Sequence, residues 1–142
     1  MSIVSALYQH LRGDHEVTYH VGQRIGRSVV PQGTEFPYLT IQLLSGASDH
    51  HQGGATAYAD SLVQVDVWAR STKTRDRIAD AVRRSVDGFS GPMNTDAGSV
   101  WVHHCRATRA DAEYPSADKR EKPIYNARFD LTIKHAESVP VF

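Results

Sequence analysis

The sequence predicts an α+β domain: an antiparallel sheet of about four strands, two main helices packed on one face, and an extended β-hairpin loop. Three observations predict it. Period-two alternation of apolar and polar residues recurs in several separate stretches. Helical spacing is concentrated in two main segments. The final two strands follow one another with no helix between them, which excludes a strictly alternating parallel α/β architecture.

The elements follow in chain order. Residues 2–11 place Ile3 or Val4, Leu7 and Leu11 at helical spacing, with Ser2 as N-cap and Gly13-Asp14 ending the run. A second, short helix is weakly patterned over 15–21 and closed by Gly22, while 24–30 shows no period and Pro31-Gln32-Gly33 marks a turn. Residues 38–44 read as a strand with Leu39, Ile41 and Leu43 on one face. In 60–69, Val63, Val65 and Val67 alternate with Gln64, Asp66 and Trp68. The polar loop between these strands, 46–56, holds Asp49, His50, His51, Gly53 and Gly54, and its length suits it to contacting something else.

Ser71 or Thr72 caps a helix running to about Val86, with Ile78, Ala79, Val82 and Val86 on one side and Gly88 as its stop. Phe89 is expected to fold back onto the core. A loop over 90–99 leads to a third strand over about 100–112, and a polar loop over 115–123 follows. In the last strand Tyr125, Ala127, Phe129, Leu131 and Ile133 alternate with Asn126, Arg128, Asp130, Thr132 and Lys134, so one face is core and the other is wet or in an interface. The whole chain, 1–142, reads as one domain, with 136–142 as a tail that an interface can order because it ends in Val141-Phe142.

Composition narrows the function classes. Sixteen basic and sixteen acidic side chains (16 each) balance to a formal net charge of zero. A dedicated duplex-DNA binder normally carries a basic excess. Neutrality also removes the self-repulsion that keeps copies apart. With a single cysteine, Cys105, neither an intramolecular disulfide nor a cysteine-based zinc site is available. The start has neither the charged stretch nor the apolar core of a secretory leader, and no apolar run is long enough for a membrane span.

Eight histidines invite a metal hypothesis. The adjacent pairs His50-His51 and His103-His104 point to opposite faces if on strands, and His15 and His20 are five apart, off one helical face. Surface or interface histidines are the better reading. Cys105 and His103 would share a strand face, yet a lone strand cysteine is usually a small buried hydrophobe. Asp111 and Glu113 share a face beside Arg109, which reads as a solvated or inter-subunit salt-bridge row rather than an acid/base pair. No nucleophile elbow, phosphate loop or dinucleotide fingerprint occurs. Lys73, Arg75, Arg77, Arg83 and Arg84 make one helix basic, but Asp76 and Asp80 interleave with them, which favours a salt-bridged solvated or interface helix. Two alternatives stay open on residues alone: a small histidine-dependent metal-binding module or enzyme, and a nucleic-acid-binding adaptor.

Several stretches together resemble one family. They are Pro31-Gln32-Gly33, then Phe36-Pro37-Tyr38 opening a strand, then Leu62-Val63-Gln64-Val65-Asp66-Val67-Trp68-Ala69 leading into a capped helix with Ile78-Ala79-Asp80-Ala81-Val82, and the helix end Val86-Asp87-Gly88-Phe89-Ser90-Gly91. In this order they are similar to the tail-completion, or head–tail joining, proteins of long-tailed bacteriophages. These are also called tail terminators, and have relatives in prophages and gene transfer agents. The resemblance covers about residues 2–135. The histidine-rich hairpin loop and the tail after His135 depart from it.

The resemblance implies a structural virion protein with no catalytic residues and no cofactor. It implies a homo-hexameric ring that ends tail-tube polymerisation, meets the major tail tube protein, and docks the tail to the head-completion (stopper or connector) protein. DNA would pass through the ring without sequence recognition, and no membrane is involved. The expected location is the virion tail at the head–tail interface, after assembly in the host bacterial cytoplasm. The interface candidates are Asp49, His50 and His51 in the hairpin loop, the aromatic anchors Tyr58, Trp68 and Trp101, the charged row Arg109, Asp111 and Glu113, and Phe142 at the terminus. Each of the three anchors can equally be an ordinary core aromatic.

Overall fold

The computed structural model describes residues 3–47, 59–95, 98–115 and 122–137. Its helices are α1 (Ile3–Arg12), α2 (His15–Val21) and α3 (Thr72–Val86). Its strands are β1 (Ile25–Arg27), β2 (Tyr38–Ala47), β3 (Ala59–Ala69), β4 (Gly91–Thr95), β5 (Gly98–Tyr114) and β6 (Ile124–Glu137). They form one six-stranded sheet in the order β1-β2-β3-β6-β5-β4. All neighbours are antiparallel except β1 and β2, which run parallel.

The helices form because their apolar residues recur at helical spacing, and α2 and α3 are capped; Ser2, the expected cap of α1, lies outside the described residues. Ile3, Ala6, Leu7 and Leu11 of α1 are buried, as are Ile78, Ala79, Ala81, Val82 and Val86 of α3. Ser71 caps α3 by accepting the N–H of Thr74 at 3.2 Å, as its sequence position predicts. Asp14 caps α2 by accepting from Glu16 N at 2.9 Å and Val17 N at 3.2 Å, so the residue that ends one helix starts the next. Asp87 closes α3, and Gly88 after it has φ +76°, a conformation that side chains with a Cβ rarely adopt. Phe89 then folds back against the core, its ring 4.8 Å from that of His10.

The core lies between the helices and one face of the sheet. Leu39 and Ile41 of β2, Val63, Val65 and Val67 of β3, and Ala127, Phe129, Leu131 and Ile133 of β6 are all buried there. Each large side chain so buried contributes about 1.5–3 kcal/mol of transfer free energy. α3 lies over β3, β5 and β6, while α1 touches both edge strands, β1 and β4, so the sheet curls around it. No helix covers the opposite face among the described residues.

Four features differ from the sequence expectation. The sheet has six strands rather than about four, and it is mixed rather than antiparallel. β1 is three residues long, too short to show a period, and β4 lies in a stretch whose Gly, Pro and Asn read as loop. Leu43 shares the face of Leu39 and Ile41 but is 43% exposed, because a bulge between Leu43 and Ser45 lies where the core ends. Asn126, expected on the face that is wet or in an interface, is buried in a polar network within the chain on that face. The tip of the extended hairpin, residues 48–58, and the tail from 138 onward lie outside the described residues.

Candidate functional site

On the face without helices, β3 and β6 hold a buried carboxylate. Asp66 is 4% exposed and accepts hydrogen bonds from Gln64 Nε2 at 2.6 Å, Asn126 Nδ2 at 3.1 Å and Arg128 Nε at 3.0 Å. The Asp66 carboxylate holds the Arg128 guanidinium above its usual pKa. Register explains the cluster, since Asp66 pairs with Arg128 and Trp68 with Asn126 across the β3–β6 ladder. Beside it Trp68 donates its indole N–H to Thr40 Oγ1 at 3.1 Å and lies between the rings of Tyr38 and Tyr114, at 6.3 and 5.9 Å. Burial raises the Tyr38 phenol, and the Arg70 charge partly offsets that. Together with residues 28–30, Tyr38, Thr40, Asp66, Trp68 and Arg128 line a shallow cleft of about 350 Å³.

On the helix-covered face of the same end of β5 the charged row meets α3. Arg109 Nη2 lies 2.6 Å from Asp76 Oδ1, Arg109 Nε lies 2.8 Å from Asp111 Oδ1, and Arg75 bonds Asp76 at 3.0 Å. Burial pushes the Asp76 carboxyl up, but hydrogen bonds from Arg109 and Arg75 outweigh it and hold the group below its usual range. The Asp111 hydrogen bond raises the Arg109 guanidinium further. Arg109 and Asp111 therefore pair within the chain, while Glu113 stands exposed opposite Tyr125 in the ladder. Elsewhere on α3, Arg84 bonds Glu16 of α2, and Arg83 reaches Asp87 at 3.8 Å.

The remaining predicted residues separate. Trp68 is half-buried and held by its own chain, whereas Trp101 is 51% exposed on β5, opposite Pro92 and Ala136. Asp49, His50, His51, Tyr58 and Phe142 lie outside the described residues. The expected shared face of His103 and Cys105 does not form, because β5 bulges between Val102 and His104 and shifts the alternation. Cys105 is fully buried and its thiol is pushed up to about 12 by burial and by the charge of Asp87, so it carries no reactive thiolate.

One histidine departs from the surface reading. His135 is 4% exposed, with its Nε2 2.8 Å from Ser61 Oγ, because it continues the core-facing alternation of Phe129, Leu131 and Ile133. Among the described residues no three His, Cys, Asp or Glu side chains are grouped to hold a metal ion. No helix there is long and apolar enough to cross a membrane. Sequence reasoning missed the Asp66 network; the only signal was a row of polar residues at matched positions on two strands, which becomes visible once the strands are paired.

What the fold presents is therefore edges, an open polar sheet face and exposed apolar groups. Residues 5–119 match the family model described as Tail completion protein gp17. Among solved structures, a chain from the virion of a native gene transfer agent particle is similar in fold, with a TM-score of 0.62 and 20% identity over 94% of this chain and 95% of that one. No curated protein matches the sequence.

Proposed function

The chain belongs to the Tail completion protein gp17 family, and from that membership we propose that it is one subunit of a hexameric ring at the top of a phage-type tail. The ring halts growth of the tail tube and joins the tail to the head connector, and DNA passes through it without being read. The observation that carries this reading is the family match, which runs from α1 through β5 and so includes most of the sheet. The side-chain chemistry agrees with an assembling role: the charged clusters are paired structural ones, and the thiol is buried.

Trp101 is the aromatic anchor best placed for a neighbour, being half exposed, and the loop holding Asp49, His50 and His51 is assigned to contacts with tube or connector. Sedimentation of the purified chain over a wide concentration range, together with electron microscopy of the chain mixed with tail tubes, tests the proposal. Hexamers in solution or six-fold caps on tubes are expected. Strict monomers at high concentration that also leave tubes bare overturn it.

A further inference from the structure

The two long edges of the sheet are each covered over only half their length, and the covered halves lie at opposite ends. On one edge β1 pairs with Leu39, Thr40 and Ile41 of β2, and among the described residues nothing pairs with β2 beyond them on that side. On the other edge β4 pairs with β5 from Gly98 to Val102. Just below, Gly88 N–H donates to the Cys105 carbonyl at 2.9 Å and Ala107 N–H donates to Asp87 Oδ1 at 3.0 Å. From Thr108 to Tyr114 no described strand lies outside β5.

Strand alternation fixes which backbone groups these edges offer. Leu39 N–H and the Ile41 carbonyl point outward to the β1 side, so Leu43 points its groups the same way. The Cys105 carbonyl and Ala107 N–H point outward on the other edge, so Arg109, Asp111 and Glu113 follow. Bare, long edges recruit other strands, and this chain leaves apolar side chains on both: Leu43 at 43% and Leu44 at 44% exposed on one, Tyr114 at 45% on the other.

We propose that the bare end of β2 pairs with the bare end of β5 in a second copy of this chain, continuing the sheet from subunit to subunit. The proposal rests on the ring reading and deepens it. β2 and β5 run in opposite directions within the sheet, so neighbours in the same orientation meet as antiparallel strands, the more stable pairing. Matching the two bare segments displaces each copy along the strands by about five residues, roughly 17 Å. That displacement carries β4 of one copy past the end of its neighbour's β2, and β1 of the neighbour past the end of β5, so the covered halves interlock as steps instead of colliding. Such a contact is head-to-tail, joining two different edges, and so generates a ring where the rotation closes; closure then tilts the strands to the ring axis, as in closed sheets.

Cysteine crosslinking tests it. Leu43→Cys is combined in one chain with Asp111→Cys or Glu113→Cys, which lie on its own face of the continued sheet, and Leu44→Cys, beside the bulge, with Ala110→Cys or Ala112→Cys. Each double variant is oxidised where sedimentation or tube binding shows assembly. Cys105 is buried and can stay. A covalent ladder ending at six is expected from at least one combination and from no single variant. In the unmodified protein, amide exchange at Leu43 and Asp111 should slow about tenfold or more on assembly. Hexamers that form without a ladder in any combination, and without that protection, overturn the edge pairing and leave the ring reading standing. Crosslinked dimers from Leu43→Cys alone overturn the head-to-tail arrangement in favour of a symmetric one. A ladder that runs on without closing supports the pairing and overturns the ring. Monomers under every condition overturn both.

Discussion

Arg109 Nη2 stands 2.6 Å from Asp76 Oδ1, and through that contact the free end of β5 is tied to the first turns of α3. β5 is 17 residues long and outruns the apolar core, whose last buried side chain on this strand is Cys105. Beyond it, charge pairs replace apolar packing as the link between sheet and helix. The contact is half open to water, so it contributes modestly to stability and chiefly fixes where the strand lies.

Asp76→Asn should weaken the fold by about 0.5 kcal/mol at neutral pH, the range of solvent-screened ion pairs. The acid dependence identifies the mechanism. The folded Asp76 carboxyl lies below its unfolded value, so its stabilisation is complete above the ordinary carboxylate range near about 3.9 and is lost as pH falls through the folded value. Denaturant midpoints between about pH 5 and pH 2.5 should fall less steeply for Asp76→Asn than for the parent. Parallel slopes would show that Asp76 does not titrate differently in the two states.

Asp66→Ala should cost more, about 1–3 kcal/mol, because it removes the acceptor shared by Arg128, Gln64 and the buried Asn126 amide, which then keeps only the Val67 carbonyl. Urea unfolding measures it. A loss below about 1 kcal/mol would mean that water replaces the carboxylate in this cleft without penalty.

Gly26→Ala should destabilise β1 and the segment after it. A Cβ at residue 26 would lie 2.5 Å from the Val29 carbonyl oxygen and 2.5 Å from Val30 Cγ1. Residues 28–30 must therefore shift, and Ser28 there already has φ +69°. A loss of about 1–3 kcal/mol is expected, as for other steric overpacking, with faster amide exchange at Leu39, whose N–H bonds to Arg24. An unchanged melting temperature would count against this close approach.

Cys105 should resist thiol reagents at pH 8 in the native protein and react at the rate of a free thiol in denaturant, since burial both screens it and pushes its pKa up to about 12. Native labelling at the denatured rate would mean that the α3–β5 region opens freely.

The sequence read alone carried the helices and the four long strands, because those elements run long enough for spacing to declare itself. Ser71, Gly88 and the 125–133 alternation all stand as their chemistry demanded. Local pattern could not find β1, which is three residues long and exists as a strand through its pairing with β2, or β4, whose Gly-Pro start belongs to loops everywhere except at a sheet edge. Nor could it tell that Asn126 and Asp66 meet, or that Arg109 reaches Asp76 of α3. A chain's own order of residues sets which side chains are apolar and at what period. Which polar groups share a partner, and which edges are left bare, depends on register between segments 60 residues apart, and that is settled only when the sheet closes around its core.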